Sequence, residues 1–225
     1  MKAHYSGGRY FVKKSDTIDL ICESVKSQIM SRGIFPGNRI VEDDLARTFN
    51  VSRATIRTVM LRLLNEGFVE IIPNRGTIVT KPTPQKIVEV YETRLHLELG
   101  VAVLAVRNIT EEAIARMEDN YAAQVELLKD YSITTYADLN RAFHWELVVA
   151  ANNEYYTKYL NEIYNVVHIF MLFYDDAPDN TQSLKEHRMI LDALKERDLE
   201  KLQKAIRLDN ATGLYGLKDV KSWDI

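Results

Sequence analysis

The 225 residues predict a mainly α-helical chain in two parts: three helices closed by a small β-hairpin, then an all-α bundle of six helices. Three observations predict it. Apolar residues recur at helical spacing over most of the chain. The only strand signals are Val69 to Ile72 and Thr77 to Thr80, on either side of Asn74-Arg75-Gly76. Between the two parts stands Lys81-Pro82-Thr83-Pro84; two prolines one residue apart cannot continue a helix and favour an extended linker.

In order, residues 1–14, with Gly7-Gly8 and Lys13-Lys14, form a loose basic arm. From Asp16 to Arg32 one apolar stripe (Ile18, Ile21, Cys22, Val25, Ile29, Met30) predicts a helix, ended by Gly33 and followed by a turn at Pro36-Gly37. Glu42 to Phe49 is a short helix, and Asn50-Val51 a tight turn. Ser52 is placed to cap the next helix, where Ile56, Val59, Leu63 and Leu64 make the buried stripe. The hairpin closes this first unit, residues 15–80. Residues 81–84 are the linker, and 85–218 hold six helices at about 85–107, 111–129, 134–152, 154–174, 184–197 and 199–215. Thr110, a Ser183-x-x-Glu186 capping box and Asp198 mark three of their starts. Amphipathic stripes must bury against one another, which makes a bundle.

Charge divides along the same line. Residues 1–82 carry 13 Lys and Arg against 8 Asp and Glu, a balance of +5, whereas the rest carries 16 against 24, a balance of −8. A basic head on an acidic body can bind phosphate locally, because the field at contact range is set by nearby charges. No apolar run is long enough to span a bilayer, and the first residues lack the charged-then-apolar pattern expected of a secretory signal. The single cysteine, Cys22, lies on an apolar helix face and fits a reducing cytoplasm.

The helix after Ser52 presents Arg53, Arg57 and Arg62 with Ala54, Thr55 and Thr58 on its other face, and no acid lies between Asp44 and Glu66. Exposed arginines are ordinarily just solvated. Here Arg53 and Arg57 sit toward the N-terminal end of the second helix of a rigid pair, the end that enters a DNA major groove. With Arg75 at the hairpin tip, this is the pattern of a winged helix-turn-helix. Leu45-Ala46, Val51-Ser52-Arg53, Ile56-Arg57, Leu63, Glu66-Gly67 and Arg75-Gly76, with the lead-in Gly33-Ile34-Phe35-Pro36-Gly37-Asn38-Arg39-Ile40, resemble the GntR family of bacterial transcription regulators over residues 16 to 80. The resemblance implies that Ser52, Arg53, Thr55 and Arg57 meet phosphates and base edges of double-stranded operator DNA, and that Arg75 and Gly76 enter the minor groove. Asp43 stands where some relatives carry arginine.

In the bundle, Asn140 and His144 share a helix face, while His187 and Asp209 lie on two other helices. Two imidazoles and a carboxylate from three helices suit a first-row divalent metal; the plainer alternative is core-edge histidines with one hydrogen bond each. Phe143-His144, Glu186-His187 and a polar residue 22 positions on resemble the FCD ligand domain, which accompanies the GntR head. Many of its members hold a metal with an aspartate, a histidine four residues on and two more histidines. Here Asn140 and Asp209 replace the first and last of these. The resemblance implies a metal set of Asn140, His144, His187 and Asp209 holding zinc or nickel. The Glu92-x-Arg94-x-x-x-Glu98 pattern resembles the same family and implies a small organic acid as effector, met by Arg94 and Tyr91. An Arg94–Glu98 ion pair is the equal alternative, since the two are four residues apart.

These features lead to a ligand-responsive, homodimeric, cytoplasmic regulator of transcription. Dimerisation follows because one recognition helix reads too few base pairs for specificity. Two other readings compete: a metal-dependent enzyme, for which no base or nucleophile stands beside His144 or His187 at a recognisable spacing, and a DNA-binding protein whose bundle is only structural.

Overall fold

The computed structural model describes residues 14–81, 83–174 and 181–218. Most of the basic arm and Pro82 of the linker lie outside these. The first unit runs α1 (Lys14–Met30), α2 (Glu42–Thr48), α3 (Arg53–Asn65), β1 (Val69–Ile72) and β2 (Gly76–Val79). The strands pair antiparallel from Val69↔Val79 to Ile72↔Gly76, and Arg39 adds a bridge to Ile78. Then follow α4 (Pro84–Asn108), α5 (Glu111–Leu127), α6 (Ile133–Ala151), α7 (Glu154–Tyr174), α8 (Thr181–Lys195) and α9 (Leu199–Lys218). The mainly α architecture, a winged helix-turn-helix followed by a helical bundle, is as the sequence predicts.

Local chemistry explains most boundaries. Ser52 Oγ accepts from Thr55 N at 3.1 Å, Thr110 Oγ1 from Ala113 N at 3.2 Å and Asp198 Oδ1 from Lys201 N at 3.0 Å, so all three act as caps. At the end of α3, Phe68 N donates to Leu63 O at 2.9 Å while Gly67 takes φ +78°, a left-handed close that glycine adopts without strain. Gly33 follows the end of α1 and its N–H donates to Gln28 O at 2.8 Å, with Arg32 (φ 61°) as the left-handed residue before it. One expectation fails. The capping box at Ser183 does not form, because α8 begins two residues earlier, at Thr181. Ser183 Oγ instead accepts from the Tyr136 hydroxyl at 2.8 Å, and Glu186 Oε1 accepts from Gln182 and Thr212.

Two buried cores hold the chain. The second is confined to the far half of the bundle, where Val101, Met117, Phe143, Leu147, Leu160, Ile190 and Ile206 meet. The first is continuous from Ile21, Val25, Ile29, Ile56, Val59 and Leu63 of the head into Tyr136, Val166, Ile169 and Phe170 of α6 and α7. Each fully buried aliphatic side chain contributes about 1.5–3 kcal/mol, so head and bundle are joined by apolar packing as well as by the chain. At this junction a Cβ on Gly67 would lie 2.9 Å from Val166 Cγ2 and 3.1 Å from Glu162 O, and Asn165 Nδ2 donates to Glu66 O at 2.9 Å. No helix among the described residues is long and apolar enough to cross a membrane.

Candidate functional site

On the head, Arg53, Arg57, Arg75 and Gly76 are exposed along α3 and the hairpin tip. Asp43 grips Arg53 through two contacts, Oδ1 to Nε at 2.7 Å and Oδ2 to Nη2 at 2.8 Å, and Glu42 lies 3.7 Å from Arg57. All four side chains are at least a third exposed, and surface pairs of this kind are worth about 0–1 kcal/mol. The acids of α2 therefore aim the arginines without withholding them. Thr55 departs from expectation: it is buried, its hydroxyl 2.9 Å from Ser52 Oγ. A residue three after the cap turns under the first turn instead of outward. Arg62 also leaves the open face, pairing with Asp19 of α1 and with Glu66. Arg39, which the spacing of the motif did not single out, lies beside the wing; a Cβ on Gly76 would stand 3.7 Å from its Nε.

Within the bundle α4, α6, α8 and α9 bring Arg94, Glu98, His144, His187 and Asp209 into one buried cluster. The Nε2 atoms of His144 and His187 are 3.3 Å apart. Asp209 offers one oxygen to each, Oδ2 at 3.3 Å from His144 and Oδ1 at 3.3 Å from His187. Donors at about 2.0–2.1 Å from a tetrahedral zinc stand about 3.3–3.4 Å from one another, so the spacing suits a metal. His187 Nδ1 lies 2.8 Å from Gln124 Oε1, whose amide nitrogen is committed to Asn120 at 2.6 Å. Nδ1 is thereby the donor, and Nε2 keeps its lone pair toward Asp209 and His144, the arrangement that orients metal-binding histidines.

Arg94 competes for the same place. Its Nη2 is 3.0 Å from Asp209 Oδ2 and 3.3 Å from His144 Nε2, while its Nε donates to Glu98 Oε1 at 2.9 Å. Burial alone would ease a proton off this guanidinium, but Glu98 and Asp209 outweigh it and hold it well above its ordinary range. Burial would likewise raise the Asp209 carboxyl; His144, His187 and Arg94 hold it well below. Burial wins at His187, which is pushed down and kept neutral. Glu98 Oε1 also accepts from the Tyr164 hydroxyl at 2.6 Å, leaving Oε2 buried with no hydrogen-bond partner.

The cluster opens on a pocket lined by Arg94, Asn140, Arg141, His144, Tyr164 and His168, with Met171 at its edge. Its free volume is about 10 Å³, room for about one water molecule. Asn140 stands on this wall, its amide nitrogen 3.8 Å from Met171 Sδ, and ligand atoms of His144, His187 and Asp209 lie within 4.8 Å of one another. Tyr91 does not line the pocket. Its ring packs under α9, where a Cβ on Gly213 would lie 2.8 Å from Cε1, and Tyr164 from α7 supplies the phenol instead. Tyr164, Gln124, Arg141 and His168 escaped the sequence reading. The visible signal for His168 was one imidazole inside the apolar run Val166 to Phe170.

Residues 89–209 match the FCD domain family, and residues 17–79 match the bacterial regulatory proteins of the gntR family. Curated relatives include the uncharacterized HTH-type transcriptional regulator YdhC of Bacillus subtilis, 26% identical over 178 residues (78% of this chain, 80% of that one). The HTH-type transcriptional repressor RspR of Escherichia coli is 25% identical over 174 residues (77% and 76%). Among solved structures, E. coli McbR/YncC superposes with a TM-score of 0.73 at 20% identity, covering 88% of this chain and 97% of its own. A putative GntR regulator from Rhodococcus sp. RHA1 gives 0.74 at 21% identity, covering 89% and 96%. Those two likenesses concern the fold.

Proposed function

The chain belongs to the GntR family of bacterial regulatory proteins, in the branch that carries an FCD domain, and on that premise we propose that it is a homodimeric regulator whose DNA binding answers to a small organic acid held with a divalent metal. That it is a DNA-binding transcription regulator and not an enzyme follows from the family and the relatives. The proposal assigns residues 15–80 to the operator and 85–218 to sensing and dimerisation. Ser52, Arg53, Arg57, Arg75 and Gly76 meet DNA, with Arg39 beside the wing.

The observation that carries the sensing half is the buried cluster itself. One guanidinium faces two carboxylates, Glu98 and Asp209, so by formal charge the site is one positive charge short. A carboxylate at the histidines themselves would meet that excess negative charge, because Arg141 lines the pocket but pairs with neither acid. Zinc or nickel on His144, His187 and Asp209, with Asn140 on the pocket wall nearby, would reverse that sign and supply a Lewis-acidic seat for the acid. Metal and acid should therefore bind cooperatively. A metal drawing Asp209 away would release Nη2 of the Arg94 guanidinium, whose planar fork of donors suits a carboxylate. Because the pocket holds about one water as it stands, the acid must displace side chains to enter, and such displacement beside α7 reaches the packing under α3.

Calorimetric titration of the full chain with zinc and nickel tests the metal, alongside elemental analysis of protein purified without chelator. His144→Ala should abolish binding, and Asn140→Asp should tighten it by adding charge. If neither metal binds the wild type and Asn140→Asp confers nothing, the cluster is a metal-free polar core. The small pocket also favours a second reading, a bundle that is only structural. That reading requires no thermal shift with any organic acid, metal present or absent.

A further inference from the structure

His168 and Arg141 stand between two cavities. On one side is the pocket beside Arg94 and His144; on the other is a cleft of about 450 Å³ between bundle and head, walled by Lys26, Glu66 and Phe68 of the head. His168 is 4% exposed and neither of its ring nitrogens has a hydrogen-bond partner. The carboxylate of Asp138 is 3.5 Å away, but it is largely exposed to solvent. Arg141 has no carboxylate within 4.0 Å among the described residues. Its Nη2 donates to two neutral amides, Asn161 Oδ1 at 2.9 Å and Asn165 Oδ1 at 3.2 Å, and its guanidinium lies over the Trp145 ring.

The contrast with Arg94 is the point. Arg94 sits between two carboxylates of the protein's own, so its charge is already answered. Arg141 is half-buried with no ion-pair partner among the described residues, the solvent-exposed Asp138 acting on it only at a distance, beside an imidazole whose ring nitrogens make no hydrogen bond. Polar groups buried in that state are costly unless a partner arrives. We propose that Arg141 and His168 bind a second anionic group of the effector, so that its chemical class is a dicarboxylate and not a simple monocarboxylate. This rests on the effector reading above and adds the second head. It also gives the ligand a route to the DNA-binding unit. Asn165, which accepts from Arg141, itself donates to Glu66 O at the end of α3, so a ligand that takes Arg141 competes directly with the bridge between bundle and recognition helix.

The test uses matched acids of equal chain length, succinate against butyrate and glutarate against pentanoate, titrated calorimetrically into the full chain with and without zinc. The wild type should bind each diacid roughly tenfold or more tighter than its monoacid, the scale of one charge-assisted hydrogen bond. Arg141→Gln should erase that preference, costing the diacid at least about tenfold more affinity than it costs the monoacid. Should Arg141→Gln fold poorly, His168→Leu serves in its place, with the diacid losing more affinity than the monoacid and the preference thereby reduced. Equal binding of diacid and monoacid by the wild type overturns the proposal while leaving the effector reading intact, as does a preference that survives both substitutions. If no acid of either kind binds with or without metal, the effector reading fails and the proposal falls with it.

Discussion

Replacing Arg94 with methionine tests the charge logic of the bundle most directly. Methionine keeps much of the volume and removes the cation, so Glu98 and Asp209, with side chains 1% and 5% exposed, would face each other's charge with no guanidinium between them. Breaking a buried ion pair by removing one partner costs about 3–5 kcal/mol. In a chain of this size each kcal/mol lowers Tm by roughly 2–4 °C, so the variant should melt about 6–20 °C below wild type. The assay is thermal denaturation followed by circular dichroism at pH 7 in chelator, repeated in zinc. Zinc supplies the missing positive charge. At a hundredfold excess over Kd it should return up to about 2.7 kcal/mol by mass action, and it should help the variant more than the wild type, where Arg94 competes for Asp209. The double variant Arg94→Met/Glu98→Gln should cost less than Arg94→Met alone, since one of the two stranded charges is gone. A variant melting within about 2 °C of wild type, with no differential response to zinc, would refute the account of Arg94 as the cation that balances this cluster.

Burial holds His168 down to about 4, against the pull of Asp138 in the other direction. Below about pH 6.5 the unfolded chain takes up a proton that the folded chain refuses. The contribution is whole above pH 6.5 and lost as pH falls toward 4, about 3 kcal/mol across that window; urea melts of His168→Leu at pH 7, 5.5 and 4.5 should show a correspondingly flatter loss than wild type. Arg53→Ala and Arg57→Ala should each weaken operator binding by about 1–3 kcal/mol in gel shifts at fixed salt, with bundle folding untouched; unchanged affinity in both removes them from the interface. Gly67→Ala should destabilise the chain by about 1–3 kcal/mol in denaturant melts, because it needs a left-handed φ and its Cβ would meet Val166 and Glu162.

The helices were legible because each carries its own evidence: apolar spacing for the buried face, and Ser52, Thr110 and Asp198 for the starts. Ser183 misled because Ser-x-x-Glu records only that a cap is affordable, and Tyr136, on another helix, claimed that hydroxyl first. The metal-like set was legible mostly by resemblance, since spacing along one helix says nothing about which third helix faces it. Tyr91 shows the same limit: three residues from Arg94, it shares a helix side with it, yet its ring is taken up by α9 at Gly213. Gln124 carried no signal at all, because its role depends on a histidine 63 positions away.

The seat of Gly67 on Val166 and Glu162 has a mechanical consequence. With Val166 and Glu162 seated against that glycine, sliding the head toward the bundle would compress the contact, whereas rocking about the C-terminal end of α3 would leave it in place. The reading end of α3, at Arg53, lies at the other end of a helix of 13 residues, a lever of about 20 Å. A tilt of about 10° at the fulcrum swings that end by about 3.5 Å, the rise of one base pair along the duplex. If Arg53 reads the operator as proposed, a disturbance too small to move a domain bodily would carry it from one step of the DNA ladder to the next.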